Sequence, residues 1–272
     1  MVGFKSMNNQ WTVSKIKALK GKNKIICLTA ADWLMARLLD EVGIHLILVG
    51  DSLAMTVLGY ENTLPVTMEQ MLHHTAAVAR GVKNALVVAD MPFLSYQTSE
   101  KDAIANAGQF IKKAGAGAVK IEGGSFRAPV IKALTRNGIP VLAHIGLTPQ
   151  SIKTMGGYKV QGKTQKEAKE LIKDARMLEK AGAFAIVLEC MPPQTARKIT
   201  KSVKIPTIGI GAGPYCDGQI LVTYDMLGLS VGGIKPKFVK EYASLGKQIK
   251  NALLAYKKDV ETGKYPAPEH CY

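Results

Sequence analysis

Cysteine is scarce in this chain and never paired in a motif. Cys27, Cys190, Cys216 and Cys271 stand apart without a CxxC spacing, which argues against a zinc site or a disulfide framework and leaves four plain thiols. Long apolar runs are missing as well. Nothing approaches the ~18 consecutive apolar residues that a membrane span needs, and the basic N-terminus, MVGFKSMNNQWTVSKIKALKGKNK, has no apolar core of signal-peptide length. A cytoplasmic protein without a membrane partner is expected. No Pro/Gly/Ser-rich or low-complexity stretch divides the 272 residues, so a single domain over 1–272 is expected. Acidic residues number 21 against 36 basic ones, a formal charge of +15. That excess raises the question of nucleic acid. Only six of the basic residues are Arg, and the Lys run from Lys5 to Lys264 with no recognisable nucleic-acid module. A solvated Lys-rich surface able to attract an anionic cofactor is the better reading, and no nucleic-acid partner is expected.

What is present is 47% hydrophobic residues and a repeated pattern. Six apolar, β-branched-rich runs end on a residue able to do chemistry: KIICLTAAD on Asp32, IHLILVGDS on Asp51, ALVVAD on Asp90, AVKIEGG with Lys120 and Glu122, IPVLAHIG with His144, and FAIVLEC with Glu189. Carboxylates are costly beside buried strands unless paired, so their repetition at strand ends needs one cause. A (β/α)8 barrel supplies it, because the carboxyl ends of its strands converge on one mouth. Strands are predicted at about 24–29, 44–50, 85–90, 117–122, 139–144, 183–189, 204–210 and 227–231. Helices are predicted over 31–42, 67–80, 99–114, 125–136, 164–181 and 192–202, with starts at Thr67, Ser99, Ser125 and Thr164. Gly43, Gly115, Gly138 and Gly182 each stand between a helix and the next strand, as left-handed terminators. An N-terminal extension covers about 1–23, and an extra C-terminal helix with a tail covers about 237–272. The insertions 52–66 and 145–163 follow strands and are candidate lids.

Asp51, Asp90 and Glu122 offer hard oxygen ligands from three strand ends, which suits Mg²⁺. The plainer alternative is that each caps the following helix. Lys120 and Glu122 sit two apart and point to one face of their strand. They form either a rim ion pair or a cation and a carboxylate sharing the mouth. Beside a metal-bound 2-oxo acid, Lys120 would stabilise the developing oxyanion rather than attack it. Glu189, at the end of AFAIVL, should feel desolvation, which suits a general base. His144 reads as a core histidine or as a supporting group. GIGAG at Gly209 to Gly213 lacks the full dinucleotide fingerprint and reads as a close turn.

Together VGDSLAMTVLGYENTLPVT, VVADMPF, VKIEGG, AHIGLTPQ, GGYKVQG, VLEC, IGIGAG and DGQILV resemble the ketopantoate hydroxymethyltransferase family, collinearly from about residue 24 to the C-terminal EH. The resemblance implies an α/β fold, a (β/α)8 TIM barrel of the phosphoenolpyruvate/pyruvate type, assembled as a homodecamer of two pentameric rings. It implies Mg²⁺ and transfer of a hydroxymethyl group from 5,10-methylenetetrahydrofolate to 3-methyl-2-oxobutanoate through a Mg-stabilised enolate, giving 2-dehydropantoate for pantothenate biosynthesis. It assigns Asp51, Asp90 and Glu122 to the metal, Glu122 through water. Asp51, Ser52, Asp90, Lys120 and His144 go to the substrate, and Glu189 is the base. Ala31 and Ala54 depart from the family, which often shows an aromatic and a glycine there. A metal-dependent 2-oxo acid aldolase on the same barrel would use the same groups but turn over without tetrahydrofolate. A basic binding module would show salt-dependent nucleic-acid affinity and have no need of Asp51.

Overall fold

Eight short aliphatic runs pair side by side and close on themselves. They are β1 (Ile25–Thr29), β2 (Leu46–Val49), β3 (Leu86–Asp90), β4 (Ala118–Glu122), β5 (Val141–Gly146), β6 (Ala185–Glu189), β7 (Thr207–Ile210) and β8 (Gly218–Leu221). The computed structural model describes residues 10–229 and 236–272. Within it the strands form one closed barrel in chain order, every neighbour parallel, with β8 returning to β1. Alternation sorts the side chains. Ile25, Cys27, Leu46, Leu48, Leu86, Val88, Leu142 and Val187 fill the interior. The residues between them, such as Ile47, Val87, Val119 and Ile186, face outward and pack with helix residues including Leu39, Val78, Phe110, Leu134 and Ile199. Burial of both faces is why the strands read as unbroken apolar runs.

The helices are α1 (Val13–Ala18), α2 (Trp33–Glu41), α3 (Leu53–Thr56), α4 (Met68–Gly81), α5 (Glu100–Lys112), α6 (Ala128–Arg136), α7 (Ile152–Met155), α8 (Gln165–Lys180), α9 (Pro193–Ser202), α10 (Thr223–Met226) and α11 (Leu245–Glu261). Thr67 and Thr164 start α4 and α8 with reciprocal capping boxes to Gln70 and Glu167, and Ser99 caps α5. Ser125 does not cap. It opens a 3₁₀ turn, with its amide bound to Asp174 Oδ1 at 2.8 Å. All four expected terminators, Gly43, Gly115, Gly138 and Gly182, have positive φ. The N-terminal extension is built into the barrel, because Ile16 of α1 is fully buried in the interior cluster and plugs the floor. Its first nine residues lie outside the described ones.

The eighth strand is not at 227–231. It is GQIL, Gly218–Leu221, which pairs Ile25↔Gly218 through Leu28↔Leu221 and closes the ring. Only four residues long and opening on Gly and Gln, it lacks the apolar run by which the others announce themselves. Residues 223–226 form α10 instead, and 230 and 231 lie outside the described residues. The chain forms two compact units, Met1–Val222 and Thr223–Tyr272. The second contains α11, which starts later than the expected helix pattern because the segment after Pro236 runs in turns. None of its residues is buried. Among the described residues no helix is long and apolar enough to cross a membrane.

Candidate active site

The alternation that fills the barrel also builds its mouth. Val88, Ala118, Leu142 and Val187 point inward, so two residues further on Asp90, Lys120, His144 and Glu189 point inward too, and Glu122 follows Lys120. Register sets them side by side, with Asp90 opposite Lys120 and Glu122 opposite His144. Asp51 stands just beyond β2, and its amide donates to Asp90 Oδ2 at 3.0 Å. Lys120 Nζ lies 2.7 Å from Asp90 Oδ1 and 3.7 Å from Glu122 Oε1. His144 stands between two carboxylates, Nδ1 3.4 Å from Glu122 and Nε2 3.1 Å from Glu189. Neither ring nitrogen is aligned for a hydrogen bond, so these are ion-pair contacts. At Gly146, φ is +97°, and a side chain would strike the Glu189 carbonyl. Only glycine lets the ends of β5 and β6 approach so closely.

Four carboxylates here face two cationic groups. Burial raises the Asp51 carboxyl well above the carboxylate range, and Asp90 and Glu122 add to the rise. Burial also opposes charge on Lys120, yet Asp90, Glu122 and Asp51 outweigh it and drive the ammonium upward. Such a lysine is an electrostatic group, not a free-amine nucleophile. For His144, burial and Lys120 push down while Glu122 and Glu189 push up, leaving it at about 9 and positively charged at neutral pH. Glu122 is disfavoured by burial but held below its ordinary value by His144, Lys120 and the Gln150 amide.

This surplus of buried negative charge, made of hard oxygens, fits a divalent cation. Among the described residues no three His, Cys, Asp or Glu side chains are gathered as a metal cluster. Asp51 and Asp90 are the two carboxylates that could hold such an ion, with its remaining ligands from water or substrate. Both Glu122 oxygens are engaged, by His144 and Lys120 on one side and by the Gln150 amide at 3.0 Å on the other.

A family profile described as ketopantoate hydroxymethyltransferase matches residues 10–268. The chain belongs to the ketopantoate hydroxymethyltransferase family. It is 60% identical over 262 residues to the 3-methyl-2-oxobutanoate hydroxymethyltransferase of Clostridium botulinum (strain Loch Maree / Type A3), covering 96% of this chain and 95% of that one. It is 54% identical to the protein of that name from Syntrophus aciditrophicus (strain SB), covering 98% of both. Among solved structures, 2,3-dimethylmalate lyase, a PEP mutase/isocitrate lyase superfamily member, superposes with a TM-score of 0.59 at 17% identity over 94% of this chain and 92% of its own. Phosphonopyruvate hydrolase in complex with oxalate and Mg²⁺ gives 0.61 at 15% over 95% and 93%. These two likenesses establish the barrel fold.

The chain gathers Asp51, Asp90, Lys120, Glu122, His144 and Glu189 into one network. Ser52 stands at the start of α3 without a capping bond from its side chain, and its hydroxyl leans toward Gly50. Two expectations change. Asp32 does not join the site: its carboxylate caps α2 through the Met35 amide at 2.8 Å. Glu189 is less desolvated than its place at the end of AFAIVL suggests: its side chain is 15% exposed, whereas Asp51, Asp90 and Glu122 are buried. Ala31 and Ala54 are buried in the layer between barrel and helices, a packing role.

Sequence reasoning missed Gln150 and Tyr96. Tyr96, buried at the end of the β3 loop, accepts from the Glu122 amide at 3.1 Å and donates to Gln150 Oε1 at 2.7 Å. Gln150 closes the AHIGLTPQ motif, but an isolated loop glutamine carries no chemical signal of its own. The two long insertions flank a cleft of about 370 Å³, walled by Glu61, Asn62, Ile152, Lys153 and Tyr158 among others. Tyr158 crosses toward the first insertion, its hydroxyl 3.9 Å from Met55 Sδ. Partial burial and the charges of Glu189, Asp51 and Glu122 raise its phenol, which places the ring within the field of the acidic cluster.

Proposed function

We propose that the enzyme transfers the one-carbon unit of 5,10-methylenetetrahydrofolate to C3 of 3-methyl-2-oxobutanoate, giving 2-dehydropantoate and tetrahydrofolate. The reading is carried by one observation: a buried, net-negative cluster at the ends of β2 to β6 places hard carboxylates, a charged lysine and a histidine-held glutamate around one mouth. The family match and the relatives' names support the substrate. The solved phosphonopyruvate hydrolase, whose complex holds oxalate and Mg²⁺, supports a divalent ion at such a mouth by analogy of fold.

Asp51 and Asp90 would hold Mg²⁺, which when bound supplies Lewis acidity toward the carboxylate and 2-oxo oxygens of the substrate. Lys120, kept charged by its carboxylate neighbours, opposes the negative charge that grows on the 2-oxo oxygen. The Ser52 hydroxyl, free of capping duty, is available to the substrate carboxylate. Glu189, the one carboxylate of the set with solvent access, takes the C3 proton, and His144 holds it at the mouth. The C3 carbanion equivalent then forms the new C–C bond with the methylene carbon. Both C–N bonds of that carbon, to N5 and N10, break; water supplies the hydroxyl, and the C3 proton and the other proton of water end on the two nitrogens of tetrahydrofolate. The cleft between the two insertions is the approach open to the second substrate.

The test uses the half-reaction. Glu189→Gln keeps shape and removes basicity, so it should bind Mg²⁺ and the oxo acid. It should exchange the C3 hydrogen with deuterated water roughly a hundredfold to ten-thousandfold more slowly. Exchange at the wild-type rate, followed by NMR without folate, would move the base to another group, His144 first. Product formation independent of the folate would sink the one-carbon reading altogether.

A further inference from the structure

Gln150 is buried in the 3₁₀ turn Pro149–Ser151 that follows β5, and every polar atom of its side chain is used. One hydrogen of Nε2 goes to Asp51 Oδ2 and the other to the Met91 carbonyl, both at 2.9 Å. Oε1 accepts from Tyr96 at 2.7 Å and from Gln97 Nε2 at 3.1 Å. Its backbone amide donates to Glu122 Oε2 at 3.0 Å. One residue thus ties together the ends of β2, β3, β4 and β5. The amide has one workable orientation, because reversing it would set Oε1 against the Asp51 carboxylate and the Met91 carbonyl, neither of which can donate. Tyr96 accepts from the Glu122 amide at 3.1 Å, and its own proton has Gln150 Oε1 at 2.7 Å as a nearer acceptor than the Glu122 carbonyl at 3.4 Å.

The two aspartates are held differently. Asp90 is tied to an ammonium, whereas Asp51 is tied to a neutral amide and has no cation at ion-pair distance among the described residues. A neutral donor fixes a carboxylate's direction without cancelling its charge. We infer that Gln150 is the positioning residue of the metal-binding carboxylates, orienting Asp51 through its side chain and Glu122 through its backbone without bringing a positive charge that would compete with a divalent cation. This inference rests on the metal reading given above.

The test is Mg²⁺ binding to metal-free, substrate-free protein by titration calorimetry, with circular dichroism confirming the fold. Gln150→Met keeps length and bulk without hydrogen bonds and should weaken Mg²⁺ roughly ten- to hundredfold. Tyr96→Phe should weaken it in the same direction but less, and the double variant should be no weaker than Gln150→Met alone, because Tyr96 acts through the amide. Should Gln150→Met not fold, Tyr96→Phe decides: weaker Mg²⁺ supports the inference and unchanged affinity overturns it. A folded Gln150→Met with wild-type affinity, or additive losses in the double variant, also overturns it. If the wild type binds no divalent ion, the metal reading falls and takes this inference with it. If the wild type binds and Asp51→Asn does not, while Gln150→Met binds normally, only the role of Gln150 is lost.

Discussion

Asp51 and Asp90 are alike in chemistry and placed opposite each other in energy. Asp51 is buried with no cation at ion-pair distance among the described residues, while Asp90 neutralises a buried lysine at 2.7 Å. Replacing each by Asn should abolish calorimetric Mg²⁺ binding yet move metal-free stability in opposite directions. Asp51→Asn removes repulsion with Asp90 and Glu122 and should hold or raise the thermal midpoint in chelator. Asp90→Asn strips Lys120 of its nearest partner and should cost on the order of 3 kcal/mol. Retained Mg²⁺ binding in either variant would remove that residue from the metal site. At this scale the sequence was informative wherever a charge ended an apolar strand, since burial leaves such a charge few uses. It was silent on Gln150 and Tyr96, whose importance lies in contacts across 26 to 99 positions of chain. The Asp32 case shows the limit from the other side: a carboxylate at a strand end is also what a helix start requires.

Elements were legible where periodicity and punctuation agreed. The helices over 67–80, 99–114 and 164–181 carried Ser or Thr starts, and their caps are present to the residue. β8 was missed because its place is set by pairing with β1, which no local pattern reveals. A second nonlocal device went unseen at the barrel's floor. Asp40, buried at the end of α2, accepts from the backbone amides of Lys83, Asn84 and Ala85 at 2.7–2.9 Å and so clamps the turn that leads into β3. Asp40→Asn keeps the shape but turns a charged acceptor into a weaker one. Loss of charge-assisted hydrogen bonds to buried amides should lower stability by about 1–3 kcal/mol. Urea unfolding should show a lower midpoint at unchanged slope, with Mg²⁺ affinity intact. A midpoint equal to the wild type's would show that the turn holds itself.

On the scale of the whole chain, the C-terminal unit raises a question the barrel does not. In α11, Ile249, Leu253, Tyr256 and Val260 recur at intervals of four, three and four, a stripe on one helix face, and each is about half exposed or more. An amphipathic helix ordinarily buries such a stripe, and contiguous exposed apolar surface marks a place of association. A second copy of the chain would bury such a stripe. Deleting residues 243–272 should therefore reduce the mass measured by light scattering by far more than the missing segment. The point variant Leu253→Lys, which places an ammonium in the stripe without shortening the chain, should shift the assembly the same way. With 36 basic residues against 21 acidic ones, each protomer repels its copies. An assembly held by apolar faces should accordingly tighten as salt screens that repulsion. An unchanged mass in both variants, or dissociation on adding salt, would assign the stripe no part in assembly.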